Sequence, residues 1–142
     1  MQPTRNNEIT VLSISPLKED HAALQSIFDH STWTLLKADR LDAALEVLKK
    51  REVSVVVCER DLMSGNWKDV LEGIMDLPCR PSLIVTSRLA DDRLWCEALN
   101  LGAWDVLAKP LDPQEVHRTV KSAWHQWQNQ LKMPVLNMKA AS

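Results

Sequence analysis

The chemistry open to this chain starts at Glu59. It closes the run Val53-Ser54-Val55-Val56-Val57-Cys58, which is almost wholly apolar and then turns abruptly to charge at Glu59-Arg60-Asp61. A short valine-rich run is the pattern of a strand buried on both faces. In an open sheet covered by helices, ligands gather at the carboxyl edge of such strands. What a carboxylate placed there can engage decides the functional reading. Other chemistries lack their residues. The three cysteines, Cys58, Cys79 and Cys96, form no CxxC pair. They indicate neither a zinc site nor a disulfide framework and read as buried free thiols of a reducing compartment. The turn after the first strand is Ser15-Pro16-Leu17-Lys18. It is not glycine-rich, which excludes a dinucleotide fingerprint and a phosphate-cradling loop.

The elements that must position Glu59 follow from periodicity. Residues 9–14 are mostly β-branched and read as a first strand, and Ala23, Leu24, Ile27 and Phe28 repeat at helical spacing behind Glu19 and Asp20. Those two acids fall in the helix's first turn, where the dipole favours negative charge. Residues 31–37 form a second strand. Asp39 is placed to cap a helix with Leu41, Ala44, Leu45 and Leu48 on one face. After the valine strand come a loop over 63–66 and a short helix over 67–76, with Val70, Leu71, Ile74 and Met75 inward. A fourth strand over 82–86, a helix over 90–101 ending at Gly102, and a fifth strand over 103–108 follow. Asp112-Pro113-Gln114-Glu115 has the composition of a helix start. Val116, Val120, Ala123, Trp124, Trp127 and Leu131 then continue one face. Strands alternating with helices predict an α/β fold with an all-parallel five-stranded sheet and helices on both faces.

The whole is the size of one domain: 142 residues, 45% hydrophobic and 25% charged, with a net charge of -2. The balance gives no reason to expect nucleic acid as a partner. No run is long enough to cross a bilayer and none resembles a secretion signal, so a cytoplasmic protein is expected. The domain is expected over 9–128, with a flexible N-terminus over 1–8 and a loose tail over 129–142.

Three stretches together carry a resemblance. Thr86-Ser87 ends the fourth strand, Leu101-Gly102-Ala103 precedes the fifth, and Ala108-Lys109-Pro110-Leu111 ends it. In this order they resemble the response-regulator receiver domain, the CheY-like, flavodoxin-like fold with strand order 2-1-3-4-5. The resemblance covers about residues 8 to 128. It implies a module of two-component (phosphorelay-type) signal transduction in which an Asp at the end of strand three accepts a phosphoryl group. An acidic pair after strand one would hold Mg²⁺, and a Thr or Ser and a Lys would contact the phosphoryl oxygens. A strand-five aromatic would accompany the switch, and a cis bond would precede the proline.

On this chain the acceptor position falls on Glu59, the phosphoryl contacts on Thr86 and Lys109, the acidic pair on Ile14 and Ser15, and the aromatic on Val106. Ile14 offers no metal ligand and Ser15 only a hydroxyl, so Mg²⁺ binding is expected to be lost and no cofactor is expected. Either Glu59 is an inert, solvated residue, or its carboxylate rests near Lys109 and Thr86 and stands in for a phosphorylated Asp. Two other placements stay open: Glu19 and Asp20 as the acidic pair, and Asp61 as the acceptor.

The tryptophans are the second feature. Trp95, Trp104, Trp124 and Trp127 fall on the helix four, strand five, helix five surface where dimers and output partners of the family commonly dock. They are candidate interface residues, unless they fill the core. The expectation is a non-enzymatic, phosphorylation-independent receiver that binds protein partners of a signalling pathway, with a homodimer through that surface. The alternatives are a receiver phosphorylated on an unusual carboxylate and a small-ligand-binding flavodoxin-like domain.

Overall fold

A computed structural model describes residues 9–132. The elements run β1 (Thr10–Ile14), α1 (Lys18–Phe28), β2 (Thr34–Ala38), α2 (Leu41–Lys50) and β3 (Val55–Glu59). A tight hairpin of β4 (Asp61–Leu62) and β5 (Gly65–Asn66) leads into α3 (Trp67–Met75). Then come β6 (Ser82–Ser87), α4 (Asp92–Leu101), β7 (Asp105–Ala108) and α5 (Pro113–Lys132). The main sheet is parallel throughout, in the order β2-β1-β3-β6-β7. With the hairpin set aside, that is the expected order 2-1-3-4-5.

Side chains alternate across a strand, so the sheet sorts them into two cores. Leu12, Ile14, Val56, Cys58, Leu83, Val85 and Val106 pack with α2, α3 and α4. Val11, Val55, Val57, Ile84 and Leu107 pack with α1 and α5. The same alternation carries four polar positions to the second face at the carboxyl edge. Ser13 continues Val11, Glu59 continues Val57, Thr86 continues Ile84 and Lys109 continues Leu107. The fold therefore collects them under α1 and the start of α5.

Local chemistry sets the boundaries. The second strand begins at Thr34, because Ser31 closes α1 with its N–H and hydroxyl both donating to the Phe28 carbonyl. Asp39 does not cap α2. Arg40 holds that position without a side-chain cap, and its guanidinium is drawn to Asp42 at 2.9 Å. Residues 63–66 are not a plain loop. Gly65, at φ 119°, turns the hairpin, and Asn66 then caps α3 in a reciprocal box with Asp69. A Cβ at residue 65 would sit 2.7 Å from the Asp69 carboxylate, so the box itself excludes a larger residue there. Asp91 caps α4 through the Leu94 N–H, which moves its start from 90 to Asp92. Gly102 ends it at φ 116°. Met75 and Leu131, expected inward, are exposed. The last helix runs to Lys132, so residues 129–132 of the expected tail are helical. The expected flexible segment 1–8 and residues 133–142 lie outside the described residues.

Candidate functional site

The centre of the carboxyl edge is an ion cluster. Lys109 leaves the end of β7 and its ammonium pairs with Glu59 Oε1 at the end of β3. The same ammonium donates to Asp20 Oδ2 at 2.9 Å and Oδ1 at 3.1 Å. All three side chains are nearly dry, at 9% exposure for Lys109, 12% for Glu59 and 13% for Asp20. Burial alone would lower the Lys109 pKa. The hydrogen bonds and charges of Glu59 and Asp20 outweigh it and hold the ammonium above the ordinary lysine range. Asp20 is itself anchored, since Ser15 Oγ–H donates to its Oδ2 at 2.6 Å and the Leu17 N–H donates to Ser15 Oγ. Next along α1, His21 Nε2–H donates to the Ser15 carbonyl at 3.0 Å, and its Nδ1 shares a 2.8 Å hydrogen bond with Ser13 Oγ. Beside the cluster, Glu19, Asp20, Ala23, Arg88, Lys109, Pro110 and Leu111 line a cleft of about 570 Å³.

Glu59 and Lys109 thus meet. Thr86 stands beside Glu59 in register and is buried. Its carbonyl accepts from the Arg60 N–H at 2.8 Å, but among the described residues its hydroxyl makes no hydrogen bond to Glu59 or Lys109. Ile14 and Val106 point to the opposite face and are buried in the other core, while Ser15 faces the cluster. The placement of an acidic pair at Glu19 and Asp20 by extension of the first strand does not occur. β1 ends at Ile14, and Asp20 reaches the site from the first turn of α1. Asp61 lies in the hairpin, turned to solvent and paired with Arg60 at 3.0 Å. The Lys109–Pro110 bond is cis.

Asp20 lies in the first turn of α1, where its spacing put it, but sequence reasoning did not bring it to Lys109, because it spaces like any acid of a first helical turn. The signal was the local pair Ser15 and Asp20, five residues apart across the turn.

The tryptophans divide. Trp95 and Trp104 are exposed, at 47% and 38%, whereas Trp124 and Trp127 are buried in the core under α5 and leave the expected interface. The reason is their spacing with Val116, Val120 and Ala123, which turns both indoles to the sheet. The cysteines divide as well: Cys58 is buried, Cys79 half-buried and Cys96 exposed on α4, so three buried thiols was an overstatement. Burial, and then the neighbouring Glu59 charge, push the Cys58 thiol far up, which keeps it protonated and unreactive. No described helix is long and apolar enough to cross a membrane.

This geometry has a family. The profile described as the response regulator receiver domain matches residues 18–121. The chain belongs to that family, and it is a receiver domain of two-component signalling. Such domains are in general signalling modules rather than enzymes, and they act through other proteins. A search of curated protein sequences found no significant match. Solved structures agree on the fold. The signal receiver domain of a Vibrio parahaemolyticus protein assigned as a LuxO repressor superposes with a TM-score of 0.80 at 15% identity, covering 87% of this chain and 95% of its own. The signal receiver domain of an HD domain-containing protein from Pseudomonas fluorescens Pf-5 gives 0.77 at 24%, covering 86% and 98%. The beryllofluoride-activated NtrC4 receiver domain, solved as a dimer, gives 0.76 at 20%, covering 83% and 98%.

Proposed function

We propose that this chain is a phosphorylation-independent receiver, a non-enzymatic protein-interaction module of two-component signalling with Glu59 in the acceptor position. The observation that carries this reading is the Glu59–Lys109 ion pair. A receiver's strand-five lysine is the group expected to meet the phosphoryl oxygens. Here it is already engaged by a carboxylate one methylene longer than an Asp. Glu59 brings one negative charge to that place rather than nearly two, and it does so permanently. The partners are signalling proteins of the cytoplasm. The exposed Trp95 and Trp104 mark the flank of α4 and β7 as the surface for a partner or a second copy.

Two measurements test the reading on the full chain. Incubation with acetyl phosphate and Mg²⁺ should leave the intact mass unchanged, and a phosphoryl adduct would sink the proposal in favour of an unusual phosphoacceptor. A pull-down from the native host with wild type and Glu59→Gln side by side should give different partner recovery. Equal recovery would make Glu59 an inert residue.

A further inference from the structure

Lys109 has a second partner that the reading above does not require. Asp20 contacts the ammonium through both carboxylate oxygens and is held in place by Ser15. The result is two nearly dry carboxylates converging on one positive charge. Carboxylates converging in this way are the means by which proteins hold hard divalent cations, and magnesium then asks for six oxygens in near-octahedral array. The donors here do not fit magnesium as they stand. Both acids are spent on the ammonium, and a second cation placed between them would lie within about 4 Å of it, where like charges repel strongly. Among the described residues no group of three or more His, Cys, Asp and Glu comes together to offer another place.

We propose that Lys109 is the resident cation of this site. Asp20 and Glu59 hold its ammonium where a divalent ion would otherwise be needed to neutralise them. The pocket is therefore metal-independent in the intact protein, and it becomes a Mg²⁺ or Mn²⁺ site once Lys109 is made neutral. Asp20 is the positioning residue of the arrangement and the second ligand of the unmasked site. The inference rests on Glu59 being the acceptor-position partner of Lys109.

Mn²⁺ titration of the full chain, with free ion read by electron paramagnetic resonance, tests it alongside thermal unfolding with and without Mg²⁺. Wild type should bind no Mn²⁺ at this site, and its Tm should not move with millimolar Mg²⁺. Lys109→Met should gain Mn²⁺ binding at least about tenfold tighter than the detection limit that bounds wild type, as the repulsion is removed. Its Tm should rise with Mg²⁺ by linkage, and Lys109→Met combined with Asp20→Asn should lose both gains. Wild-type binding that Asp20→Asn abolishes overturns the proposal, as does a folded Lys109→Met that gains nothing. Should Lys109→Met not fold, the wild type decides: Mn²⁺ broadening of the Ser15, Asp20 and Glu59 amide signals overturns the proposal, and their sharpness supports it. The acetyl phosphate arm separates the two readings. A phosphoryl adduct defeats the functional reading whatever the Mn²⁺ result, whereas wild-type Mn²⁺ binding without an adduct defeats this inference alone.

Discussion

Replacing Lys109 by methionine keeps the reach of the side chain and removes its charge, leaving Asp20 and Glu59 unpaired in a nearly dry pocket. Breaking a buried pair by deleting one partner costs about 3 kcal/mol, and urea unfolding of Lys109→Met at neutral pH should show a loss of that order. The alkaline limb gives an independent check. Burial by itself would lower the Lys109 pKa, but its two acids leave it raised above the unfolded value. A raised lysine contributes stability that is complete below the unfolded pKa of about 10.4. That contribution is lost as pH climbs through the folded-state pKa. Wild type should therefore lose its advantage over Lys109→Met above about pH 10; curves that stay parallel there would contradict the assignment. Glu59 and Lys109 were both legible in the sequence, because each ends an apolar strand. Asp20 was not, since its contact with Lys109 spans 89 positions and depends on how α1 lies over the sheet edge.

At the scale of elements, the caps and stops set where each helix begins and ends. Gly102 terminates α4 in the left-handed region, with its N–H donating to the Ala98 and Leu99 carbonyls. Gly102→Ala puts a Cβ into a conformation that L residues avoid, at a cost of about 1–2 kcal/mol, and thermal unfolding should show it as a lowered Tm. An unchanged Tm would mean that the turn relaxes. Most elements were readable from period alone: the valine strand, the α5 stripe and the stop at Gly102 lie where their residues place them. The misplacements have separate causes. Asp39 carries a side chain suited to a cap, yet Arg40 takes the position one residue later with no side-chain cap, its guanidinium paired with Asp42. Trp124 and Trp127 were in doubt because an indole serves equally in a core and at an interface. Their stripe with Val116 and Val120 was the better guide.

At the scale of the molecule, the ion cluster lies at the carboxyl edge of the sheet, and two exposed indoles lie elsewhere, Trp95 on α4 and Trp104 just before β7. If a second copy uses that flank, Trp95 and Trp104 are its anchors. Trp95→Ala with Trp104→Ala should then weaken self-association by about 2 kcal/mol, roughly thirtyfold in dissociation constant. Sedimentation equilibrium reads this directly, and a wild type that stays monomeric at high concentration removes the dimer. Trp104 is steadied for such a role, because its Nε1–H donates to Ser122 Oγ on α5 at 2.9 Å. The sorting of the indoles has an optical consequence. Trp67, Trp124 and Trp127 sit inside and are sheltered from aqueous quenchers, Trp33 is half-buried against Phe28 and His117, and Trp95 and Trp104 face the solvent. Iodide should therefore dim mainly the red part of the emission, and anything that settles on the α4–β7 flank should restore the share of it that Trp95→Ala with Trp104→Ala removes. The protein thus carries a built-in fluorescent gauge on the side where a partner is expected.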